Sequence, residues 1–113
     1  MNIVFASEKL RKILSNEKEI YRKYGAERGR IMIRRLVQLR AAMTLEVMRT
    51  LPQAKCHELG QDRQGQLAVD ADYPYRLIFE PAQDPLPVKS DGGLDWKGVT
   101  TIRIIEVVDY HGK

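Results

Sequence analysis

The most regular stretch of the chain runs from 26 to about 51, where Met32, Leu36, Leu39, Met43, Val47 and Leu51 recur at intervals of three and four residues. That period predicts one long helix with an apolar stripe. Arg28, Arg30, Arg34, Arg35, Arg40 and Arg49 fall on the opposite side, and Pro52 ends the run because it denies the next turn a backbone donor. The methionines in the stripe read as flexible core filling rather than as a cofactor box. Upstream, Ser7 stands just before Glu8, Leu10, Ile13 and Leu14, which predicts a short first helix. Asn16 followed by Glu19 has the spacing of a capping box and opens a second turn through Ile20 and Tyr24, either a new helix or a continuation of the first. Gly25 reads as its C-terminal stop.

After Pro52 the period changes. Short runs rich in β-branched and aromatic residues at 54–59, 66–70, 75–80 and 100–108 predict four strands. The last, with Ile102, Ile104, Ile105, Val107 and Val108, is apolar on both faces and is expected inside the sheet, with the helices packed on one side. Between the last two strands, 81–98 holds Pro85, Pro87, Gly92 and Gly93 among three aspartates, and reads as a long surface loop. The fold class is therefore α+β: N-terminal helices, one of them long, on a small and mainly antiparallel sheet. Residues 1–113 form a single domain, helical over about 7–51 and sheet over 54–108.

Composition narrows the function classes. The chain carries a formal charge of +4, and it is unevenly spread: residues 1–51 hold 12 Lys and Arg against 5 acids, or +7, and the remainder 7 against 10, or −3. The helical half is the basic half, a surface suited to phosphate backbones or to an acidic protein partner, or simply a solvated helix face. The single cysteine, Cys56, rules out an internal disulfide and points to a reducing compartment. No basic run or cleavage pattern marks Met1 to Ser7 as a signal peptide, and nothing approaches the ~18 apolar residues of a membrane span. A cytoplasmic location and no membrane partner are expected.

Two histidines and one cysteine, without HExxH or CxxC spacing, leave no metal signature; no phosphate-cradling glycine loop and no GxSxG element appear. What remains is a polar set on the strands: Lys55, His57 and Arg63 around the first hairpin, Arg76 at the start of the third strand, and Asp109, Tyr110 and His111 after the last. Each has a plain alternative. His57 can be a half-exposed strand-edge residue, the terminal triplet a frayed end, Arg63 a turn salt bridge to Asp62, and Arg76 a cross-sheet partner of Glu80 or Glu106.

Three segments, Lys55-Cys56-His57-Glu58-Leu59-Gly60-Gln61-Asp62-Arg63-Gln64-Gly65-Gln66, Asp72-Tyr73-Pro74-Tyr75-Arg76-Leu77-Ile78-Phe79-Glu80-Pro81 and Val108-Asp109-Tyr110-His111, resemble the HigB branch of the RelE/ParE superfamily of toxins. The specificity lies in their order and spacing, which cover nearly the whole chain. The resemblance implies the toxin of a bacterial type II toxin-antitoxin pair: a ribosome-associated endoribonuclease that cuts messenger RNA and inhibits translation until a cognate antitoxin protein binds it. It implies no cofactor and no metal. The ribose 2′-hydroxyl attacks the adjacent phosphorus, so the site needs a base, cations for the phosphorane and an acid for the departing 5′-oxygen. On this reading His57 and His111 are base and acid in an order left open, Tyr110 donates, orients or stacks, and Asp109 orients a neighbour. Arg63 and Arg76, with Lys55, hold phosphate.

The chain departs from the family pattern in three places. Glu58 stands where proline is usual, no lysine follows Leu59, and 81–98 replaces a tight hairpin. A carboxylate gained beside the site and a cation lost favour an alternative reading, a non-catalytic interaction module of the same superfamily, whether gyrase-directed or suppressor-like. A general RNA-binding domain docking through the arginine-rich helix is a third reading, weakened by an aromatic content of 7%.

Overall fold

The computed structural model describes residues 1–109, an α+β arrangement of three α-helices and four short 3₁₀ helices on a five-stranded mixed sheet. In chain order the elements are β1 (Asn2–Phe5), α1 (Glu8–Leu14), α2 (Glu17–Tyr24), α3 (Ala26–Ala41), β2 (His57–Glu58), β3 (Leu67–Asp70), β4 (Tyr75–Pro81) and β5 (Thr101–Asp109). The sheet order is β1-β5-β4-β3-β2, antiparallel except that β1 runs parallel to β5. β1 lies in the N-terminal stretch for which the sequence predicts no element. Its neighbour β5 is thereby an interior strand, as the isoleucine run predicts. Among the described residues, no helix is long and apolar enough to cross a membrane.

The helix starts follow local chemistry. Ser7 Oγ accepts from Leu10 N at 3.1 Å, and Asn16 Oδ1 accepts from Lys18 N at 3.0 Å and from Glu19 N at 3.4 Å, so each hydroxyl or amide satisfies amides the new helix leaves open. Gly25, at φ 87°, separates α2 from α3 with its own N–H still bonded to Tyr21 O.

The long helix is shorter than predicted. α3 stops at Ala41, and the next apolar residues belong to a 3₁₀ turn over Leu45–Thr50. Leu45 N donates to Val99 O at 3.0 Å, which draws the backbone off the helical path onto the segment leading into β5. The amino group of Met1 donates to the carbonyls of Leu39, Arg40 and Ala42, the open acceptors at the end of α3. A 3₁₀ turn has a period of three, so Leu45 and Met48 face the core while Met43 is 82% exposed and Val47 is exposed as well. Only Met32, Leu36 and Leu39 of the predicted stripe are fully buried.

Arg35 also departs from prediction. It is 5% exposed and points inward: Nε donates to Asp70 O at 2.7 Å, Nη2 to Gln53 O at 3.1 Å and Nη1 to Gln38 Oε1 at 3.2 Å. These bonds join α3 to the end of β3 and to the turn before β2, and they satisfy carbonyls that would otherwise be buried open. Burial pushes the guanidinium pKa down, Arg34 adds to that, and Asp70 opposes it.

The helix-side core takes Leu14, Ile20, Met32, Leu36 and Leu39 against Leu67, Val69, Leu77, Phe79, Ile102 and Ile104. Because side chains alternate along a strand, the residues between these face the other way. A register shift in β5 between the partners of Ile78 and Phe79 admits one extra residue, so Ile104 and Val107 both turn toward the helices.

Candidate functional site

The face of the sheet away from the helices carries the polar set. Register aligns His57, Ala68, Ile78 and Glu106 in one row across β2, β3, β4 and β5, and Asp70, Arg76 and Val108 in the next. Ala68 and Ile78 are both 0% exposed without belonging to the helix-side core, so this face is itself covered in part. The cover includes Arg63. From a 3₁₀ turn over Gln61–Arg63 its Nη1 donates to Gln66 Oε1 at 2.9 Å and its Nη2 to Glu106 Oε2 at 2.7 Å, an ion pair that spans β4 above Ile78.

Arg76 lies on the same face, with Nε bonded to Asp70 Oδ1 on the neighbouring strand at 3.1 Å. Beyond the His57 row, Arg103 Nη1 bonds Glu80 Oε2 at 2.9 Å. Arg63 thus reaches across the sheet to Glu106 rather than stopping at its own turn, and Arg76 holds Asp70 on the neighbouring strand. Leu59, Gly60, Gln61, Asp62, Arg63 and Arg76 line an open hollow of about 410 Å³. Two guanidinium groups line one hollow, and each holds a carboxylate on the same face of the sheet.

His57 flanks this arrangement on the edge strand. Its Nδ1 donates to Lys55 O at 2.7 Å, because a carbonyl can only accept. A neutral ring so held keeps its lone pair on Nε2. The bond depends on the backbone: Lys55 takes a left-handed conformation, φ 49° and ψ 47°, which closes the turn before β2. Gln61, at the other side of the hairpin, has φ 56°. Non-glycine residues seldom adopt this region, at a cost on the order of 1 kcal/mol, and such positions concentrate at functional sites.

The predicted residues are only partly brought together. Arg63 and Arg76 share the hollow, His57 lies on the same face, and Lys55 is exposed one turn away. Asp109 is distant: it is the last residue of β5 and pairs with Tyr75. Three strand spacings and three residues of rise separate it from His57, roughly 17 Å between backbones. Tyr110 and His111 lie outside the described residues. Asp70 and Gln66 were missed by sequence reasoning, and Glu106, named there as a possible partner of Arg76, holds Arg63. Their signal is the alternation that puts 66, 68 and 70, and 76, 78 and 80, on one face, and it is readable only once the register is known.

Glu58 does not add its carboxylate to this face. One residue after His57, it turns to the helix side, where Oε2 accepts from Trp96 Nε1 at 2.9 Å. Trp96 is 4% exposed and has the Arg49 guanidinium 3.8 Å above its ring. The 81–98 segment is accordingly anchored on the helix side rather than spread over the hollow. Gln83 reinforces it, accepting from Thr100 N and Thr101 N and donating to Gly98 O. Its first residue, Pro81, belongs to β4, and its end is a 3₁₀ turn over Trp96–Gly98.

Among the described residues, no group of three or more His, Cys, Asp or Glu side chains is placed to hold a metal ion. No protein-family model matches the chain, and neither a curated protein nor a solved structure matches it.

Proposed function

We propose that the chain is a RelE/HigB-like toxin acting as a metal-independent endoribonuclease on messenger RNA at the ribosome, in the cytoplasm and under the control of a cognate antitoxin. The observation that carries this reading is the placement of His57, Arg63 and Arg76 on one face of the sheet, with a nucleotide-sized hollow between the guanidinium groups. In this reading the bond from Nδ1 to Lys55 O orients the ring and leaves Nε2 to take the 2′-hydroxyl proton. Arg63 and Arg76 exchange their carboxylate partners for the phosphate oxygens and hold the charge that builds on them. Protonation of the leaving 5′-oxygen falls to Tyr110 or His111.

The test is to add wild type, His57→Ala and His111→Ala to a translating extract and map the 5′ ends of the messages. New ends with wild type, reduced by about a hundredfold or more with His57→Ala, are expected. Intact messages with all three proteins end the nuclease reading.

A second reading, a non-catalytic interaction module, is favoured by the Arg63–Glu106 and Arg76–Asp70 pairs, which neutralise both cations of the hollow. It predicts intact messages together with growth arrest on expression, or with inhibition of supercoiling by purified gyrase.

A further inference from the structure

We infer that the edge of β5 beyond β1 is a docking site for an acidic, extended segment of a partner protein, which joins the sheet there as an added strand. The inference goes beyond the nuclease reading and is independent of it, since it uses neither His57 nor the arginines of the hollow. β1 pairs with 101–104 of β5, and the last bond between the two segments runs from Ala6 N to Ile104 O at 2.9 Å. β5 continues past that point to Asp109, while the chain before it turns away into α1. By accepting from Ala6, Ile104 shows that its backbone polar groups point toward β1. Residues whose side chains share one face of a strand send N–H and C=O to one edge. Val107 shares the helix side with Ile104, so its N–H and C=O point to that same edge, where among the described residues no strand meets them. The other edge agrees: Tyr75 O accepts from Ala71 N on β3, so Arg76 and Ile78 turn their backbone groups to β5, and Leu77, the partner of Val107, does not.

A trough of about 240 Å³ takes the place of a longer β1. Its floor is β5 at 105–107, and its walls include the half-buried Leu10 and Ile13 of α1 and Tyr24 of α2. An open ladder edge beside an apolar trough suits an added strand, whose main chain bonds the edge while a side chain fills the space. Charge selects the occupant. Lys9 and Lys23 stand exposed on the two walls. On the same helices Arg11 holds Glu8 and Arg22 holds Glu19, whereas among the described residues no carboxylate pairs with Lys9 or Lys23. Lys23 lies over the Tyr24 ring, 5.9 Å from its centre. Two such ammonium groups around an apolar trough match carboxylates flanking an apolar residue. A nucleic acid would satisfy the lysines but offers no row of amides and carbonyls to Val107.

The experiment measures binding of fluorescein-labelled peptides to the full chain by anisotropy. Each peptide has a valine centre, flanked by glutamates in one and by lysines in another. The glutamate peptide is also made in two forms methylated on alternate backbone nitrogens, odd positions in one and even in the other. The glutamate peptide is expected to bind at least about tenfold tighter than the lysine peptide, and the order should reverse in Lys9→Glu/Lys23→Glu. One methylated form should bind like its parent and the other about tenfold or more weaker, because only one edge of an added strand faces β5. Val107→Pro removes the N–H on that edge and spares the ladder to β4, so once shown to melt cooperatively it should weaken the parent peptide as well. Equal binding of the two methylated forms, equal binding of the glutamate and lysine peptides, or no binding of any peptide overturns the docking site and leaves the messenger RNA test untouched. Methyl-insensitive binding that a single-stranded oligonucleotide displaces assigns the lysines to nucleic acid. A wild-type dimer in sedimentation that Val107→Pro abolishes assigns the edge to a second copy, and either result also overturns the inference.

Discussion

The indole N–H of Trp96 donates to the carboxylate of Glu58 at 2.9 Å, on the opposite side of the sheet from His57, the residue immediately before it. Two adjacent positions of β2 therefore point to different sides: His57 lies on the sheet face that carries Arg63 and Arg76, and Glu58 fastens the long segment before β5. The glutamate in a position where the resembled family carries proline is a structural clasp for that segment.

Glu58→Ala should lower unfolding free energy by about 1–2 kcal/mol, because it leaves a buried indole N–H without its acceptor. Glu58→Gln should recover most of the loss, since an amide oxygen still accepts. Urea titration followed by Trp96 fluorescence measures both, and a loss from Glu58→Gln as large as that from alanine would show that charge rather than the bond matters.

Arg35→Met keeps the volume and removes the donors to Asp70 O and Gln53 O. A loss of about 1–3 kcal/mol is expected, as two part-buried carbonyls lose their charged partner. Arg34→Met, one residue earlier and exposed, should change stability by less than about 0.5 kcal/mol. Paired thermal melts compare the two.

At Gly29 an added methyl would sit 2.9 Å from Tyr21 Cδ1 and 3.4 Å from Tyr21 Cα, where α3 packs on α2. Gly29→Ala should cost about 1–3 kcal/mol despite its better helix propensity. Gly60→Ala meets nothing within 4 Å and should be within about 0.5 kcal/mol of wild type by the same denaturant titration.

Burial pushes the Cys56 thiol up from its usual 9.0 to about 12, with Arg49 opposing. The folded chain holds this proton more tightly than the unfolded chain does. The resulting stability is complete below pH 9 and declines as pH rises from about 9 toward 12. At pH 8, alkylation by iodoacetamide should be slower than in urea by roughly a hundredfold or more, as the thiolate is scarce. Mass spectrometry of timed aliquots reads the rate, and equal rates in buffer and urea would refute the burial.

Much of this arrangement could be read before any coordinates. Ser7, Asn16 and Gly25 mark helix ends because capping is local chemistry, and the β-branched runs mark β3, β4 and β5 for the same reason. The reading failed where distant contacts override spacing. Met43 and Val47 continue a helical period that Leu45 breaks by bonding Val99, more than fifty residues away. Arg35 looks like surface until Asp70 and Gln53 turn their carbonyls toward it. β1 is too short to announce itself and exists through its pairing with β5. Of the candidate site, His57, Arg63 and Arg76 were legible as residue types. Their carboxylate partners were not, because Glu106 meets Arg63 only through the register of three strands.

The parallel pairing of Asn2–Phe5 with β5 ties the earliest strand to be synthesised to the last. A ribosome translating this chain must release almost all of it before the sheet can close, and until then β1 has no strand to join. Assembly is therefore governed by a contact of very high sequence separation, which slows folding relative to a helical protein of equal length. Glu106, on that same strand, follows Arg63 by 43 residues, so a nascent chain presents Arg63 before this carboxylate exists.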